Sequence, residues 1–168
     1  PDGVSMPKGK DAKHSKPWLV REALALTEAC SAIALAVHEH GGSVLFEHPV
    51  SQAFDSPFSA KGMENHSTMY DTTTMRTLID KLGLISVFTD GCMSGTPSRK
   101  STHLLCSANI ADKTRAVLGT LQCNHKSHAV KLIGKNDKGE WNTSASEQYP
   151  PLLASRLATC VMAHVENI

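Results

Sequence analysis

Apolar positions along the chain switch between helical and strand-like spacing. Between Trp18 and Val37, the residues Leu19, Ala23, Leu26, Cys30, Ile33 and Val37 recur at steps of three and four, which is the spacing of one helical face. Pro17 stands where a helix takes its first residue, and Gly41-Gly42 supplies the stop. The alanine content of this helix predicts close packing against a sheet. Ser43 to Glu47 is a short apolar run closed by an acid and followed by His48-Pro49. It predicts a buried strand whose carboxyl end delivers Glu47 to the edge of a sheet. Val50 to Tyr70, with four Ser and single Asp, Gly and Pro residues, predicts a long loop of the kind that is usually functional or mobile. Asp71 is the expected N-cap of a second helix with Met75, Leu78, Ile79 and Leu82 on one face and Gly83 at its end.

Leu84 to Phe88 predicts a second strand and Thr102 to Cys106 a third, separated by a loop containing Gly91, Gly95 and Pro97. That loop is too short for a crossover helix, so the two strands are expected to run antiparallel. A helix with Ile110, Val117, Leu118 and Leu121 inward follows, then a strand over Ala129 to Ile133. Ser144-x-x-Glu147 resembles a capping box, but Pro150-Pro151 is the better start for a last helix lined by Leu153, Leu157, Cys160, Val161 and His164. Helices alternating with strands predict an α/β fold, a sheet sandwiched by helices. Residues 1–16 read as a flexible polar lead-in, and residues 17–168 as one α/β domain.

Composition narrows this little. The 168 residues are 40% hydrophobic and 20% charged, with 17 basic against 16 acidic side chains. A chain of this length buries roughly 70% of its unfolded surface and needs no staple to make a core. A net charge of +1 creates no field that demands nucleic acid or membrane. The first ten residues lack an apolar segment, so no signal peptide is predicted. Arg21, Glu22 and Glu28 make the Trp18–Val37 stretch a water-facing helix and not a membrane span. Five cysteines in no framework spacing predict a reducing, intracellular location, cytoplasmic or nuclear. The chain opens without Met and reads as a piece of something longer.

Three constellations could carry chemistry. Glu47, followed by His48 and Pro49 at a strand end, could be desolvated and so able to exchange a proton near neutrality, or could simply cap a loop. The loop from Asp90 to Thr102 offers Gly91, Gly95, Arg99, Lys100 and Thr102 to a phosphate, though it lacks the Walker spacing and could be a solvated hairpin. Cys123, His125 and His128 fall within six residues, and Cys92 or Cys106 could approach as the remaining ligand of a tetrahedral zinc. The paired Cys-x2-Cys spacing of finger and ribbon sites is missing. Cys30 and Cys160 lie on apolar faces and are expected to be small core residues. There is no Gly-x-Gly-x-x-Gly after a strand, no Pro-Cys and no Gly-x-Ser-x-Gly.

Taken in order, Gly41-Gly42, Glu47-His48-Pro49, Asp90-Gly91-Cys92, Gly95, Lys100-Ser101-Thr102, Cys123-Asn124-His125, His128 and Tyr149-Pro150 form a pattern. It resembles the carboxyl-terminal half of the DNA-methyltransferase-like domains of retroelement and phage-type polyproteins, distant relatives of the cytosine-C5 methyltransferases. The resemblance implies a Rossmann-like three-layer sandwich with a carboxyl-terminal antiparallel strand pair, S-adenosylmethionine as cofactor and DNA as partner. It places Glu47 as the carboxylate that holds the target base, with His48 in place of the family's Asn, and Arg99, Lys100 and Thr102 near phosphate. It also implies that the cofactor loop and the Pro-Cys nucleophile lie upstream of Pro1, so that these residues alone transfer no methyl group. A different class of function, a non-catalytic nucleic-acid-binding module of a mobile element stabilised by zinc on Cys92, Cys123, His125 and His128, stays open beside it. So does a purely structural domain.

Overall fold

The computed structural model describes residues 17–50, 68–129 and 149–162. Residues 1–16, most of the long loop (51–67), most of the strand expected over Ala129 to Ile133, the Ser144-x-x-Glu147 capping box and His164 lie outside the described residues. The chain is mixed α/β and divides into two compact units, Pro1–Val44 with Val50–Leu84, and Leu45–Pro49 with Ile85–Ile168.

The first unit pairs helix α1 (Pro17–Glu39) with helix α2 (Thr73–Leu82). The side of α1 that is buried is not the apolar stripe. Thr27, Ser31 and Ala34 are buried, whereas Leu26 is 65% and Ile33 63% exposed, and Ala23 and Val37 are also exposed. Within this unit α1 packs on α2. The physical reason is local. Thr27 Oγ1 donates to the Ala23 carbonyl and Ser31 Oγ to the Thr27 carbonyl, both at 2.8 Å. These hydroxyls are satisfied within the helix, so small residues can be buried at no hydrogen-bond cost. Across from them α2 buries Met75, Leu78 and Leu82, with Ser31 Oγ 3.5 Å from Met75 Sδ.

The start of α2 shifts by one residue from the expected position. Thr72 is the N-cap, accepting from the Met75 amide. Asp71 sits instead in a short 3-10 turn, where its carboxylate accepts from the Thr68 amide at 2.7 Å. Gly83 ends the helix at φ +58, a left-handed conformation that a side chain disfavours.

The second unit holds a three-stranded sheet in the order β1-β3-β2, with β1 Leu45–Pro49, β2 Ile85–Asp90 and β3 Ser101–Cys106. Among the described residues every strand pairing is antiparallel, including the expected β2–β3 pair. Strand β1 begins two residues later than its apolar run and ends on Pro49, which an edge strand tolerates because proline's missing donor is not needed there. Glu47 therefore lies mid-strand opposite Leu104, and not at the strand's carboxyl end. Val87, Leu104, Cys106, Ile110, Ala111, Leu118, Leu153 and Cys160 form the core.

Helix α3 (Ala108–Thr114) continues into a π-turn over Arg115–Gly119. Ile110 and Leu118 are fully buried, and Val117 and Leu121 pack against the same core, as the periodicity predicts. Gly119 allows this approach, since a Cβ there would sit 3.3 Å from Val87 Cγ1. The last helix, α4 (Pro151–Met162), buries Leu153 and Cys160 and packs Leu157 against the core. Val161 is exposed, because it lies about 100° around the helix from Cys160. Cys30 is only half-buried. Among the described residues, no helix is long and apolar enough to cross a membrane.

Candidate metal centre and the Glu47 cluster

Cys92, Cys123, His125 and His128 converge although 30 residues of chain separate the first from the second. One ligand atom from each lies within 4.8 Å of all the others. Cys92 rides on a 3-10 turn, Gly91–Ser94, that leaves the end of β2. The other three lie on the segment that follows the π-turn and carries no regular structure. Cys123 Sγ is 3.5 Å from His125 Nδ1 and 3.2 Å from His128 Nε2. Tetrahedral zinc, with bonds near 2.3 Å to sulfur and 2.0–2.1 Å to nitrogen, sets sulfur and nitrogen about 3.6 Å apart. The donor set fits zinc, and the two distances from Cys123 Sγ already match tetrahedral spacing to within about 0.4 Å. Cys106, the other candidate for the remaining ligand, is instead fully buried at the end of β3. Burial pushes the Cys92 thiol up to about 11, helped by the neighbouring Cys123 thiol and the Asp90 carboxylate.

Both limbs of this centre are anchored by residues outside the ligand set. Asp90, the last residue of β2 and 1% exposed, accepts the Cys123 amide at 2.7 Å. Its carboxylate also accepts the Ser101 hydroxyl, and Arg99 Nε at 3.3 Å. Burial alone would raise the Asp90 pKa, but the Ser101 hydroxyl, the Cys123 amide and Arg99 outweigh it and hold the carboxyl below its ordinary value. On the Cys92 limb, Arg156 of α4 donates from Nη1 to the Met93 carbonyl and to Ser94 Oγ, both at 2.7 Å. A side chain at Gly91 would be tight, because a Cβ would meet Thr96 Oγ1 at 3.0 Å and the Lys100 carbonyl oxygen at 3.3 Å.

A second cluster surrounds Glu47. Tyr149 donates its hydroxyl to Glu47 Oε2, and Lys100 Nζ lies 4.0 Å from Oε1. The same ammonium sits 5.6 Å from the centre of the Tyr149 ring. Glu47 Oε1 is buried and, among the described residues, accepts no hydrogen bond. Burial raises the Tyr149 pKa, and the hydrogen bond to Glu47 raises it further.

The remaining residues singled out by the sequence are not gathered around Glu47. His48 follows Glu47 on a strand, so the two side chains take opposite faces. Its ring nitrogen lies 2.9 Å from the Pro49 carbonyl, and its cross-strand partner is His103. Thr102 is buried in β3, its hydroxyl 3.4 Å from the Lys100 carbonyl. Arg99 is half-exposed, with one side of its guanidinium on Asp90; its pKa is raised by that hydrogen bond. Both cations of the loop therefore face a carboxylate, Arg99 on Asp90 and Lys100 on Glu47.

Three neighbours of these clusters carried no assigned role in the sequence. Asp90 is signalled only by its place two residues before Cys92, and Tyr149 only by the Tyr-Pro step. Arg156 has no sequence signal, since its partners lie 62 and 63 residues away. No family model, curated protein or solved structure matches this chain.

Proposed function

We propose that the chain is a zinc-stapled α/β module that binds nucleic acid, the carboxyl-terminal part of a methyltransferase-like domain. The observation that carries the zinc part is the convergence of Cys92, Cys123, His125 and His128. Two thiolates and two imidazoles are the donors that zinc favours among the common divalent ions. Four protein ligands also fill its shell, which marks a structural centre and not one with an open position for a reacting water. The metal would tie the turn after β2 to the segment after the π-turn, a link that no regular element provides.

Nucleic acid as partner rests on the resemblance to the methyltransferase-like domains; on the loop, Arg99 and Lys100 would reach phosphate by exchanging the carboxylates of Asp90 and Glu47 for it. In the same reading, the described antiparallel strands are one end of a larger Rossmann-like three-layer sheet, and S-adenosylmethionine belongs to the complete domain. Fluorescence anisotropy of the metal-loaded protein with single- and double-stranded DNA and RNA is the test. Affinity is expected to fall linearly with salt on logarithmic axes, and R99A/K100A to reduce that slope by about 2. Absence of binding to every oligonucleotide at low salt overturns the nucleic-acid part.

A second reading, the base-holding half of an active methyltransferase, is favoured by Glu47 Oε1, a buried oxygen that accepts no hydrogen bond among the described residues although Lys100 Nζ stands 4.0 Å away. Such an oxygen is a ready acceptor for a donor on a ligand. In a protein that carries the upstream cofactor loop and nucleophile, Glu47→Gln is expected to lower methyl transfer by about 100-fold or more while melting stays unchanged. Full transfer by that variant removes the reading.

A further inference from the structure

We infer that Asp90, which is not itself a ligand, is the positioning residue that sets metal affinity at the Cys92–Cys123–His125–His128 centre; the inference rests on the zinc reading above. The two limbs differ in how they are held. The Cys92 turn is fixed from several directions, by the Gly91 amide on the Lys100 carbonyl at 2.8 Å and by Arg156 on Met93 and Ser94. The limb carrying the other three ligands has no regular structure. It is tied to β2 at three points, two of them on Asp90; the third is Gln122 Nε2, which donates to the Phe88 carbonyl at 3.0 Å. The Asp90 amide donates to the Leu121 carbonyl at 2.9 Å, and Asp90 Oδ2 accepts the Cys123 amide at 2.7 Å.

His125 and His128 follow within five residues of Cys123, so of the three ties the Cys123 amide on Asp90 lies nearest to all three ligands. Without it, metal binding would have to order the segment, and the entropy of ordering would be subtracted from affinity. Asp90 is itself fixed from the opposite side by Ser101 and Arg99. It is thus a rigid, buried acceptor and not a surface acid that happens to lie nearby. A carboxylate on the backbone amide of a ligand cysteine also keeps the electrostatics balanced, because Asp90 and Arg99 form a neutral pair beside the metal.

The test is competition of the protein against a chromophoric chelator for zinc, with cobalt as a spectroscopic stand-in. Wild type, D90N, D90A, S101A and C123S are compared, and each is checked for folding by circular dichroism. Outer partners of metal ligands are typically worth 10- to 100-fold in affinity. D90A is expected to lose about that much, and D90N less, since its amide oxygen can still accept from Cys123. S101A leaves the Cys123 tether intact and is expected to bind close to wild type. The cobalt spectrum of saturated D90A should show weaker thiolate-to-metal and tetrahedral bands, a change that loss of stability alone would not produce. Wild-type affinity and spectrum in both D90N and D90A, with C123S unable to bind, overturn the role of Asp90 and leave the zinc reading standing. Wild-type affinity in C123S overturns the zinc reading, and this inference with it. If D90A does not fold, D90N against S101A decides.

Discussion

Removing the metal is expected to lower the melting temperature by about 10 °C. The size follows from linkage. At free zinc about 1,000 times above Kd, binding to the native state alone stabilises it by about 4 kcal/mol, and each kcal/mol moves the midpoint of a chain this long by about 2–4 °C. Differential scanning calorimetry with and without a strong chelator measures it, with elemental analysis expected to give one zinc per chain. C123S should melt like the chelated wild type and should not respond to added zinc. A midpoint indifferent to chelator, in protein without bound metal, overturns the centre.

The pH dependence has a definite sign. With the Cys92 thiol pushed up to about 11, that ligand carries a proton at neutral pH and must release it to bind. Protons therefore compete with metal. Zinc affinity should fall about tenfold for each pH unit lost on this account, and C92S should lack that component.

Leu104→Ala is expected to cost about 2–5 kcal/mol of unfolding free energy. Leu104 is 1% exposed on β3, the middle strand, between Glu47 of β1 and Val87 of β2. It belongs to the cluster that also holds Ile110, Leu118 and Leu153, so truncation leaves a cavity that strands on both sides keep from collapsing. Leu26→Ala on α1 removes a side chain of the same size that is 65% exposed, and is expected to fall within about 0.5 kcal/mol of wild type. Urea denaturation of both variants gives the comparison. A cost below about 1 kcal/mol for Leu104→Ala would mean that the sheet is not the centre of the core.

That pair of leucines also marks what could be read from the chain in advance. Helix and strand positions were legible because they depend on neighbours. Gly83 stops α2, Pro151 opens α4, and Ile110 and Leu118 fall inward at helical spacing. The α/β class and the antiparallel β2–β3 pair follow from the same local signals and from the length of the loop between them. The cysteine and histidines at 123, 125 and 128 announce a candidate metal cluster by their chemistry and closeness in sequence.

What faces what was decided only in three dimensions. On α1, periodicity points to Leu26 and Ile33, yet Thr27, Ser31 and Ala34 are the buried side, because hydroxyls satisfied within the helix can be covered by α2. Cys92 and not Cys106 joins the other three ligands, since Cys106 ends inside the core while Cys92 rides the turn that leaves β2. Tyr149 meets Glu47 across 102 residues, and Arg156 meets Met93 across 63. Periodicity reports the faces of an element from its own residues, but the choice among faces, and every partner distant in sequence, is made by the packing of elements against one another.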